Sequence, residues 1–362
     1  MSSKGDSSKK SRACVGVYRG HEGTVYTLDI QGPQTLTNRA HSRAHKTGAK
    51  KNRVAPDPQG SMDTDDLNAA PGIVLVSGSH DHTVISWTVR TGAPHGGNLS
   101  TQLITNETYT GHTAAVYALE LLPGGAQALS AGDNSLRLWD LQTGECIRTF
   151  TGHDNHVSSL RIRGKRAFSG SWDTTIRSWN VETGKPMHIF RGHRNIVNAV
   201  DVTDTDVFSG SWDTTVIQWS RSTGEALNVY RGHTDGVQCV QVVGENMLVS
   251  GSMDKTVRVW SQKTAKPLRI LTGHTGGIEC LHATGGVVFS GSYDKSVRCF
   301  DIHTGHCLAV FEGHTDGVYS VRYFDGVLYS GSGDKTIRTW DARGLVRTGA
   351  VPWYRRVLGC CA

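Results

Sequence analysis

The chain contains 362 residues, of which 43 are glycine and 37% are hydrophobic, and it carries a formal net charge of +6. No apolar stretch approaches the roughly 20 residues of a membrane-spanning helix, and the N-terminal residues lack the apolar core of a signal peptide. Eight cysteines lie mainly inside predicted strands without the spacing of a disulfide framework, which favours buried free thiols. The sequence therefore predicts a protein of the cytoplasm, the nucleus or both.

Basic residues are concentrated at three places along the chain. Residues 1–12 contribute a charge of +3, residues 31–72 contribute +2 and residues 344–362 contribute +3, which leaves about −2 for the remainder. A body that is not basic is a poor partner for a phosphate backbone. We therefore expect no nucleic acid to bind the remaining body itself.

Gly-His pairs recur along the chain and give the sequence a period. The last six pairs are 40 or 41 residues apart, and all seven are Gly20-His21, Gly111-His112, Gly152-His153, Gly192-His193, Gly232-His233, Gly273-His274 and Gly313-His314. In the clearest copy, apolar and β-branched stretches follow at 237–242, 248–252 and 257–260, with polar turns between them. A further apolar stretch at 267–271 precedes the next pair, so each period predicts four strands.

A period of about 40 residues, with Gly-His near its start and Trp-Asp near its end, resembles the WD40 family. The resemblance implies an all-β fold, a seven-bladed WD40 β-propeller in which the ring leaves no open sheet edges. The seventh period reaches Trp340-Asp341 without a convincing fourth strand behind it, whereas Cys14 to Arg19 forms an unassigned strand before the first pair. We predict that this N-terminal strand completes the last blade.

The period also sets boundaries along the chain. We predict a disordered basic N-terminus over residues 1–12, the propeller over 13–343 and a C-terminal tail over 344–362. The first two Gly-His pairs are 91 residues apart, which places 40 extra residues between strands one and two of blade 1 and 11 more in the turn between its strands three and four. These two turns lie at the same end of an antiparallel blade, so both insertions are expected on one face.

The longer insertion, residues 31–72, is rich in Gly, Pro, Asn, Asp and Ser, with a basic half followed by an acidic half. It has too little apolar surface to fold alone, so we predict a disordered insertion in blade 1. Two interpretations remain open. The segment is either a loop without a dedicated partner or a nuclear-localisation or nucleic-acid-contacting segment.

A His, a Ser, an Asp and a Trp recur together in nearly every blade. The WD40 resemblance implies that they form a structural hydrogen-bond network, not a repeated catalytic triad. In blades 3 and 4 the network residues are His153, Ser169, Asp173, Trp179, His193, Ser209, Asp213 and Trp219. We predict no catalytic residue, no metal site and no cofactor, since neither His80-Asp81-His82 nor the group from Cys299 to Cys307 has zinc-site spacing.

Two blades depart from this pattern. Phe300 stands where blade 6 should have Trp, so its network lacks the indole donor, and blade 2 is one residue short between Leu129 and Asp133. We expect these blades to open first. Arginines two residues before the third-strand aromatic are expected to pack their stems, as the family pattern implies: Arg137, Arg177, Arg258, Arg298 and Arg338.

Two positions per blade vary and lie, by register, around the central opening at the end that carries the Gly-His and Asp turns. In WD40 proteins these positions commonly contact partners. They place aromatic or apolar side chains in a nearly continuous arc, together with one histidine: Trp172, Trp212, Met253, Tyr293, Tyr319, Tyr26, Tyr117 and His80. Because such residues are enriched at interface centres, we predict protein or peptide ligands here. The alternative is that Trp172 and Trp212 only pack over neighbouring turns.

Within the WD40 family, the repeats are most similar to those of F-box/WD ubiquitin-ligase substrate receptors, as in the run from Ser169 to Gly184. Only about 12 residues precede the first strand, too few for an F-box. Receptors of that kind that read phosphorylated motifs use arginine at the variable positions, and this chain has none there. An apolar or aromatic-compatible peptide suits the surface better than a phosphopeptide.

The tail ends in Pro352 to Ala362 and combines aromatic residues, two arginines and the adjacent Cys360 and Cys361. Palmitoylation of Cys360 and Cys361 would tether the chain weakly to a membrane, and packing of the tail on the propeller is the alternative. In all, the sequence predicts a non-catalytic scaffold or adaptor for protein-protein interactions within a multiprotein complex. A ubiquitin-ligase substrate adaptor is one alternative, and a membrane-tethered or nucleic-acid-associated regulatory factor is another.

Overall fold

The computed structural model describes residues 10–12, 14–32, 73–92 and 100–346. These ranges form strands and turns and contain no helix of the length and apolarity needed to cross a membrane. The strands group into seven sheets, which confirms the all-β, seven-bladed propeller. Two strands, β1 (Lys10–Arg12) and β2 (Cys14–Arg19), precede the first Gly-His pair.

The blades follow one another in chain order. Blade 1 contains β3 (Val25–Gln31), β4 (Ile73–Ser79), β5 (Val84–Gly92) and β6 (Ser100–Tyr109). Blade 2 contains β7 (Ala118–Leu121), β8 (Gln127–Ala131), β9 (Ser135–Asp140) and β10 (Cys146–Thr151). Blade 3 contains β11 (Val157–Arg163), β12 (Arg166–Ser171), β13 (Ile176–Asn180) and β14 (Pro186–Phe190). Blade 4 contains β15 (Val197–Val202), β16 (Asp206–Ser211), β17 (Val216–Ser220) and β18 (Ala226–Tyr230).

The remaining blades repeat the same order. Blade 5 contains β19 (Val237–Val243), β20 (Met247–Ser252), β21 (Val257–Ser261) and β22 (Pro267–Leu271). Blade 6 contains β23 (Ile278–Thr284), β24 (Val287–Ser292), β25 (Val297–Asp301) and β26 (Cys307–Phe311). Blade 7 begins with β27 (Val318–Phe324), β28 (Val327–Ser332) and β29 (Thr336–Asp341).

The first strands of the blades form the inner wall of a ring. Each packs against the first strands of the two neighbouring blades, from β3 through β27 and back to β3. Side chains alternate along each strand, so apolar residues of adjacent blades meet between the sheets. For example, Leu129 and Leu136 of blade 2 pack with Val157 and Trp179 of blade 3. The channel therefore lies inside the ring, and the hydrophobic cores lie between the blades.

The N-terminal strand closes the ring, as predicted. Strand β2 pairs antiparallel with β29, from Cys14 opposite Trp340 to Arg19 opposite Thr336, and so becomes the fourth strand of blade 7. Tyr18 of this strand packs against the core shared by blades 7 and 1. Closure therefore joins the two ends of the repeating sequence by main-chain hydrogen bonds.

Both predicted boundaries of the propeller differ in the structure. Lys10–Arg12 pairs parallel with β26 and adds a fifth strand to blade 6, although residues 1–12 were expected to be disordered. The pairing uses the exposed edge of β26 and needs only backbone groups. The polar side chains of this segment therefore show no alternating pattern from which a strand could be predicted. At the other end, Leu345 and Val346 pack against the core cluster that contains Trp340, so ordered structure continues past residue 343.

Blade 1 has a longer outer hairpin than the sequence predicts. Strand β5 has nine residues and β6 has ten, and they pair as far as Gly92 opposite Ser100, so part of the shorter insertion extends the strands. Strands β3 and β4 pair up to Gln31 opposite Val74, at the end away from the Asp81 turn. The insertion was predicted to be disordered over residues 31–72, but Gln31 lies in β3 and residue 32 is also described, whereas 33–72 lie outside the described residues.

Candidate protein-binding surface

The recurring polar residues meet in one hydrogen-bonded unit per blade. In blade 3, His153 Nδ1 lies 2.6 Å from Asp173 Oδ2, and His153 Nε2 lies 2.7 Å from Ser169 Oγ. The indole of Trp179 donates to the same Ser169 oxygen at 2.8 Å. The backbone N–H of Thr175 donates to Asp173 Oδ1 at 2.9 Å. The unit ties the Gly-His turn, the second strand, the Asp turn and the third strand together.

Blade 4 repeats this geometry with His193, Ser209, Asp213 and Trp219. Burial raises the pKa of Asp173, but hydrogen bonds from His153 and Thr175 outweigh it and hold that pKa well below its usual range. The Ser169 hydroxyl belongs to a side chain of a fully buried residue, 0% exposed. A substrate cannot reach that oxygen. The hydrogen bonds of the unit therefore hold the Gly-His turn and the Asp turn against the strands.

The two irregular blades keep most of the unit. In blade 2, Ser130 takes the serine position, with His112 Nε2 at 2.7 Å and the Trp139 indole at 2.8 Å. Its His112 Nδ1 lies 3.4 Å from Asp133, whereas the other six blades have 2.6–3.0 Å for the corresponding pair. The weak link of blade 2 is therefore the His-Asp pair.

The family arginines lie beside the Gly-His turns. Gly152 has φ +152°, and a Cβ there would lie 3.0 Å from Arg177 Nη1 and 3.1 Å from the Trp179 ring, so a side chain would displace both. Arg258 also lies over the ring of Trp260, 5.9 Å from its centroid. These contacts support the prediction that the arginine stems pack locally.

A chain of aromatic contacts runs along part of the channel mouth. The ring of Tyr26 lies 5.2 Å from that of Tyr117 and 5.3 Å from that of Tyr319, measured between centroids. Tyr117 continues the chain to Trp172 at 5.8 Å, and Tyr319 continues it to Tyr293 at 5.7 Å. These side chains come from blades 6, 7, 1, 2 and 3 in ring order. We call them, with the three residues described next, the aromatic rim.

The other three predicted residues lie at the edges of this chain. His80 is exposed, and its ring centroid lies 6.1 Å from that of Tyr26. Trp212 is 45% exposed and donates its indole N–H to Gln238 Oε1 at 3.0 Å. Met253 is half-buried. The arc of aromatic rings is therefore interrupted between blades 3 and 6, where polar residues face the opening.

Polar side chains line the channel mouth where the arc of aromatic rings is interrupted. Ser158, Asn198, Gln238 and Glu279 occupy the second position of the first strands of blades 3 to 6 and line a cavity of about 130 Å³ with Tyr26, Tyr117 and Tyr319. Asn198 donates to Gln238 Oε1, and Gln238 Nε2 donates to Glu279 Oε1 at 3.2 Å. Sequence reasoning identified these positions but selected only the aromatic residues among them.

One residue that contacts the aromatic rim, His156, was not predicted from the sequence. The ring of His156 lies edge-on to Trp172 at 5.1 Å and also contacts Tyr117 at 6.1 Å. It precedes the first apolar residue of strand β11, a position that carries no family signal. Trp172 is thus held between two rings, whereas Trp212 has one side open.

A second ring of polar side chains lies deeper in the channel, at the fifth position of the first strands or, in blade 2, four residues after Val116, which precedes β7: Asp29, Glu120, Arg161, Asp201, Gln241, His282 and Arg322. We call this set the channel belt. Carboxylate or amide oxygens of the belt accept backbone N–H groups of the next blade: Asp29 from Leu121 at 2.9 Å, Glu120 from Ile162 at 2.9 Å, Asp201 from Val242 at 2.7 Å and Gln241 from Ala283 at 2.7 Å.

The two arginines of the channel belt form ion pairs with two of its three acids. Arg161 Nε lies 3.2 Å from Asp201, and Arg322 Nε lies 3.5 Å from Asp29. Burial raises the pKa of Glu120 to about 8, and Arg161 only partly offsets this effect. The belt fastens neighbouring blades together, so its chemistry is structural.

The structure describes six of the eight cysteines and the residues that were considered as metal ligands. Six described cysteines are free, of which Cys280 and Cys299 are buried and Cys146 is exposed, while Cys360 and Cys361 lie outside the described residues. Among the described residues, no cluster of three or more His, Cys, Asp or Glu side chains is arranged to hold a metal ion. The possible lipidation of the tail stays a prediction.

Seven blades surround a channel, six of four strands and blade 6 of five, and each is fastened by a buried His-Ser-Trp unit or its close variant. This arrangement defines the class as a repeat-built β-propeller. The model of the WD domain, G-beta repeat, matches residues 104–140, 144–180, 184–220, 224–261, 265–301 and 305–341. These segments make up more than half of the chain, and the chain belongs to the WD40 repeat family. Each segment begins in or just before the fourth strand of one blade and ends with the third strand of the next.

Several curated proteins are similar to parts of the chain. The small ribosomal subunit protein RACK1 of Candida albicans is 40% identical over 78 residues, 21% of this chain and 23% of that protein. The guanine nucleotide-binding protein subunit beta of Arabidopsis thaliana is 32% identical over 91 residues, 24% of this chain and 22% of that protein. The WD repeat-containing protein pop1 of Schizosaccharomyces pombe is 28% identical over 168 residues, 42% of this chain and 20% of that protein. The chain thus spans about a quarter or less of the length of these relatives.

Proposed function

We propose that the protein is a non-catalytic scaffold or adaptor that holds a protein segment on the aromatic rim. The observation that carries this proposal is the exposure of large side chains there, with Trp212 45% and Tyr293 43% exposed at a mouth where five aromatic rings touch in sequence. Exposed aromatic groups of this kind are typical of binding surfaces, because their burial supplies much of the interface energy.

The similar proteins support a role in assemblies. By their names, the relatives include a ribosomal subunit protein, a subunit of a guanine nucleotide-binding protein and subunit I of eukaryotic translation initiation factor 3 from Aspergillus terreus. A subunit of a larger complex needs a surface for other chains, and the aromatic rim supplies one. We propose protein ligands of a multiprotein complex as partners, without a specific pathway.

The chemistry of the rim favours an apolar or aromatic segment over a phosphorylated one. None of the eight rim residues is an arginine or a lysine, whereas bidentate arginine is the usual partner of a phosphate group. The adaptor of a ubiquitin ligase and the regulatory factor tethered through its basic appendages remain alternatives, but no particular contact favours either. A location in the cytoplasm or nucleus likewise stays a prediction.

The proposal is tested by affinity purification with mass spectrometry, using the full chain with Trp172→Ala and Trp212→Ala together. Each substitution is expected to cost about 2 kcal/mol or more in partner binding, so the recovery of direct partners should fall at least tenfold. The matched control is Leu227→Ala with Ile270→Ala, which removes two side chains, each 50% exposed, from the outer strands of the blades. Equal partner recovery by the rim variant and the control variant would defeat the proposal.

A further inference from the structure

Seven equivalent residues, one from each blade, surround the channel mouth: Tyr26, Tyr117, Ser158, Asn198, Gln238, Glu279 and Tyr319. Glu279 is the only charged residue among them. Its carboxylate receives the Gln238 amide, whose Nε2 lies 3.2 Å from Oε1 and 3.5 Å from Oε2. Among the described residues, no lysine or arginine forms an ion pair with Glu279. Burial therefore raises the pKa of Glu279 to about 7, and the Gln238 hydrogen bond offsets this rise only in part. A carboxylate held in this way lacks a cationic partner.

Tyrosine rings stand beside this carboxylate. Tyr319 meets Tyr26 and Tyr293 edge to face, with interplanar angles of 85° and 88°. Glu279 lines one cavity with Tyr26 and Tyr319, so the negative charge and the rings lie at one place. Burial raises the pKa of all three phenols, and the charge of Glu279 adds to that rise. Carboxylates and tyrosine faces both attract cations, the first by charge and the second by the ring quadrupole.

The cationic residues of the channel lie too deep to neutralise Glu279. Arg161 and Arg322 line the same cavity from the fifth strand position, three residues further along the strands. At 3.3 Å per residue, this places them roughly 10 Å below the level of the mouth. They are also engaged, Arg161 with Asp201 and Arg322 with Asp29. The mouth is therefore acidic, although the belt beneath it is balanced.

We propose that the channel mouth at Glu279 binds one basic side chain, lysine or arginine, of the segment held on the aromatic rim. The aliphatic stem of such a side chain would lie along Tyr26 and Tyr319, and its charged end would reach the Glu279 carboxylate. The cavity of about 130 Å³ that Glu279, Tyr26 and Tyr319 line has room for one such side chain. The inference rests on the proposed function, since the rim must hold the rest of the segment, and it specifies that segment as apolar or aromatic with one basic residue.

The proposal is tested with small probes, so it needs no partner protein. Nα-acetyl-lysine methylamide, Nα-acetyl-arginine methylamide and the uncharged Nα-acetyl-norleucine methylamide are titrated against the full chain and followed by saturation-transfer NMR. We expect at least one basic probe to bind about fivefold more tightly than the norleucine probe, as a cation-π or ion-pair contribution of about 1 kcal/mol requires. The arginine and lysine arms show which cation the mouth prefers.

The deciding variant is Glu279→Gln, which keeps an oxygen for the Gln238 donor and removes only the charge. It should abolish the advantage of the basic probes, while Glu245→Gln, at an exposed turn of blade 5, should retain it. Thermal unfolding of both variants verifies that they fold. Equal binding of the basic and norleucine probes to the native chain, or an unchanged preference in Glu279→Gln, would overturn the inference. Either result leaves the rim-tryptophan experiment standing, because that experiment reads partner recovery.

Discussion

His274 Nε2 lies 2.9 Å from Ser290 Oγ in blade 6, although Phe300 leaves that serine without the indole donor that the other blades supply. In blade 5 the corresponding serine lies 2.7 Å from the histidine and also accepts the Trp260 indole at 2.7 Å. The blade-6 unit thus keeps its His-Ser link and loses one hydrogen bond. This difference has a consequence for local stability.

Replacing Phe300 by Trp should strengthen blade 6. A Cβ at Gly273 would meet only Arg298 within 4 Å, whereas tryptophan rings approach the corresponding glycines of the other blades, so the space for an indole is present. The added hydrogen bond and ring contact should raise the free energy of unfolding by about 1 kcal/mol, and amide exchange in β24 and β25 should slow. Trp260→Phe in blade 5 is the control and should lower the stability by a similar amount. Faster exchange in Phe300→Trp would contradict this account.

The buried carboxyl of Glu120 should make stability depend on pH. Burial raises its pKa to about 8 in the folded chain, against 4.5 for the ordinary carboxyl, so the folded state binds more protons between these values. The free energy of unfolding therefore falls as pH rises from 4.5 to 8. Of the charged groups that face Glu120, Arg161 lowers this pKa, whereas Asp29 and Asp201 raise it further, so the net shift stays upward.

Glu120→Gln should remove that dependence. Gln241 holds the equivalent position in blade 5 and accepts the Ala283 N–H at 2.7 Å, so the fold already uses glutamine there. Between pH 5 and pH 8, the native chain should lose about 3.5 kcal/mol more stability than the variant, measured by urea unfolding at each pH. Glu279 contributes in the same direction in both proteins and cancels in the difference. Parallel pH profiles for the two proteins would refute the assignment.

Truncation from the N-terminus should separate the roles of β1 and β2. Val310 is 7% exposed beneath β1, whereas the equivalent Ile270 of blade 5, which has no such strand over it, is 50% exposed. Removing residues 1–12 should therefore expose Val310 and lower the free energy of unfolding by about 1 kcal/mol. Removing residues 1–19 also takes away the fourth strand of blade 7 and should abolish a single cooperative unfolding transition. Removal of residues 1–9 alone retains both strands and is the control. Native-like unfolding after loss of β2 would show that closure does not depend on it.

The period of the sequence predicted the parts of the fold that depend on repeated residue types. The Gly-His and Trp positions recur chemically, so blade number, the closing strand and the His-Ser-Asp units follow from register. Strand β1 does not recur, because it pairs through backbone groups on an edge that any sequence can occupy. The channel belt was not predicted for a different reason. Its seven positions hold acidic, basic and amide side chains, so no residue type repeats with the period of the blades.

The sequence predicted where the residues of the aromatic rim lie but not which of their side chains touch. Register placed Tyr26, Tyr117 and Tyr319 at the mouth, and their rings do touch. Side-chain orientation decides the rest, and it isolates Trp212 beside the amide of Gln238. The sequence has no local signal for such an orientation, because neighbouring blades contribute the contacting groups.

The two rim tryptophans should differ in their effects on stability. Trp172 is half-buried between Tyr117 and His156, at 5.8 Å and 5.1 Å, so Trp172→Ala removes ring contacts within the folded chain and should cost about 2 kcal/mol of stability. Trp212 is 45% exposed and keeps one hydrogen bond to Gln238, so Trp212→Ala should cost less than about 1 kcal/mol.

Urea unfolding of the two single variants measures this difference, and partner recovery is measured on the same preparations. If the rim binds a partner, Trp212→Ala should lose binding with almost unchanged stability, because the side chain contributes more to an interface than to the fold. Trp212→Phe is the matched variant, since it retains a ring and loses the indole donor, and it should recover part of the binding. A Trp212→Ala variant that loses stability as strongly as Trp172→Ala, and binds as the native chain does, would show that both residues only pack over neighbouring turns.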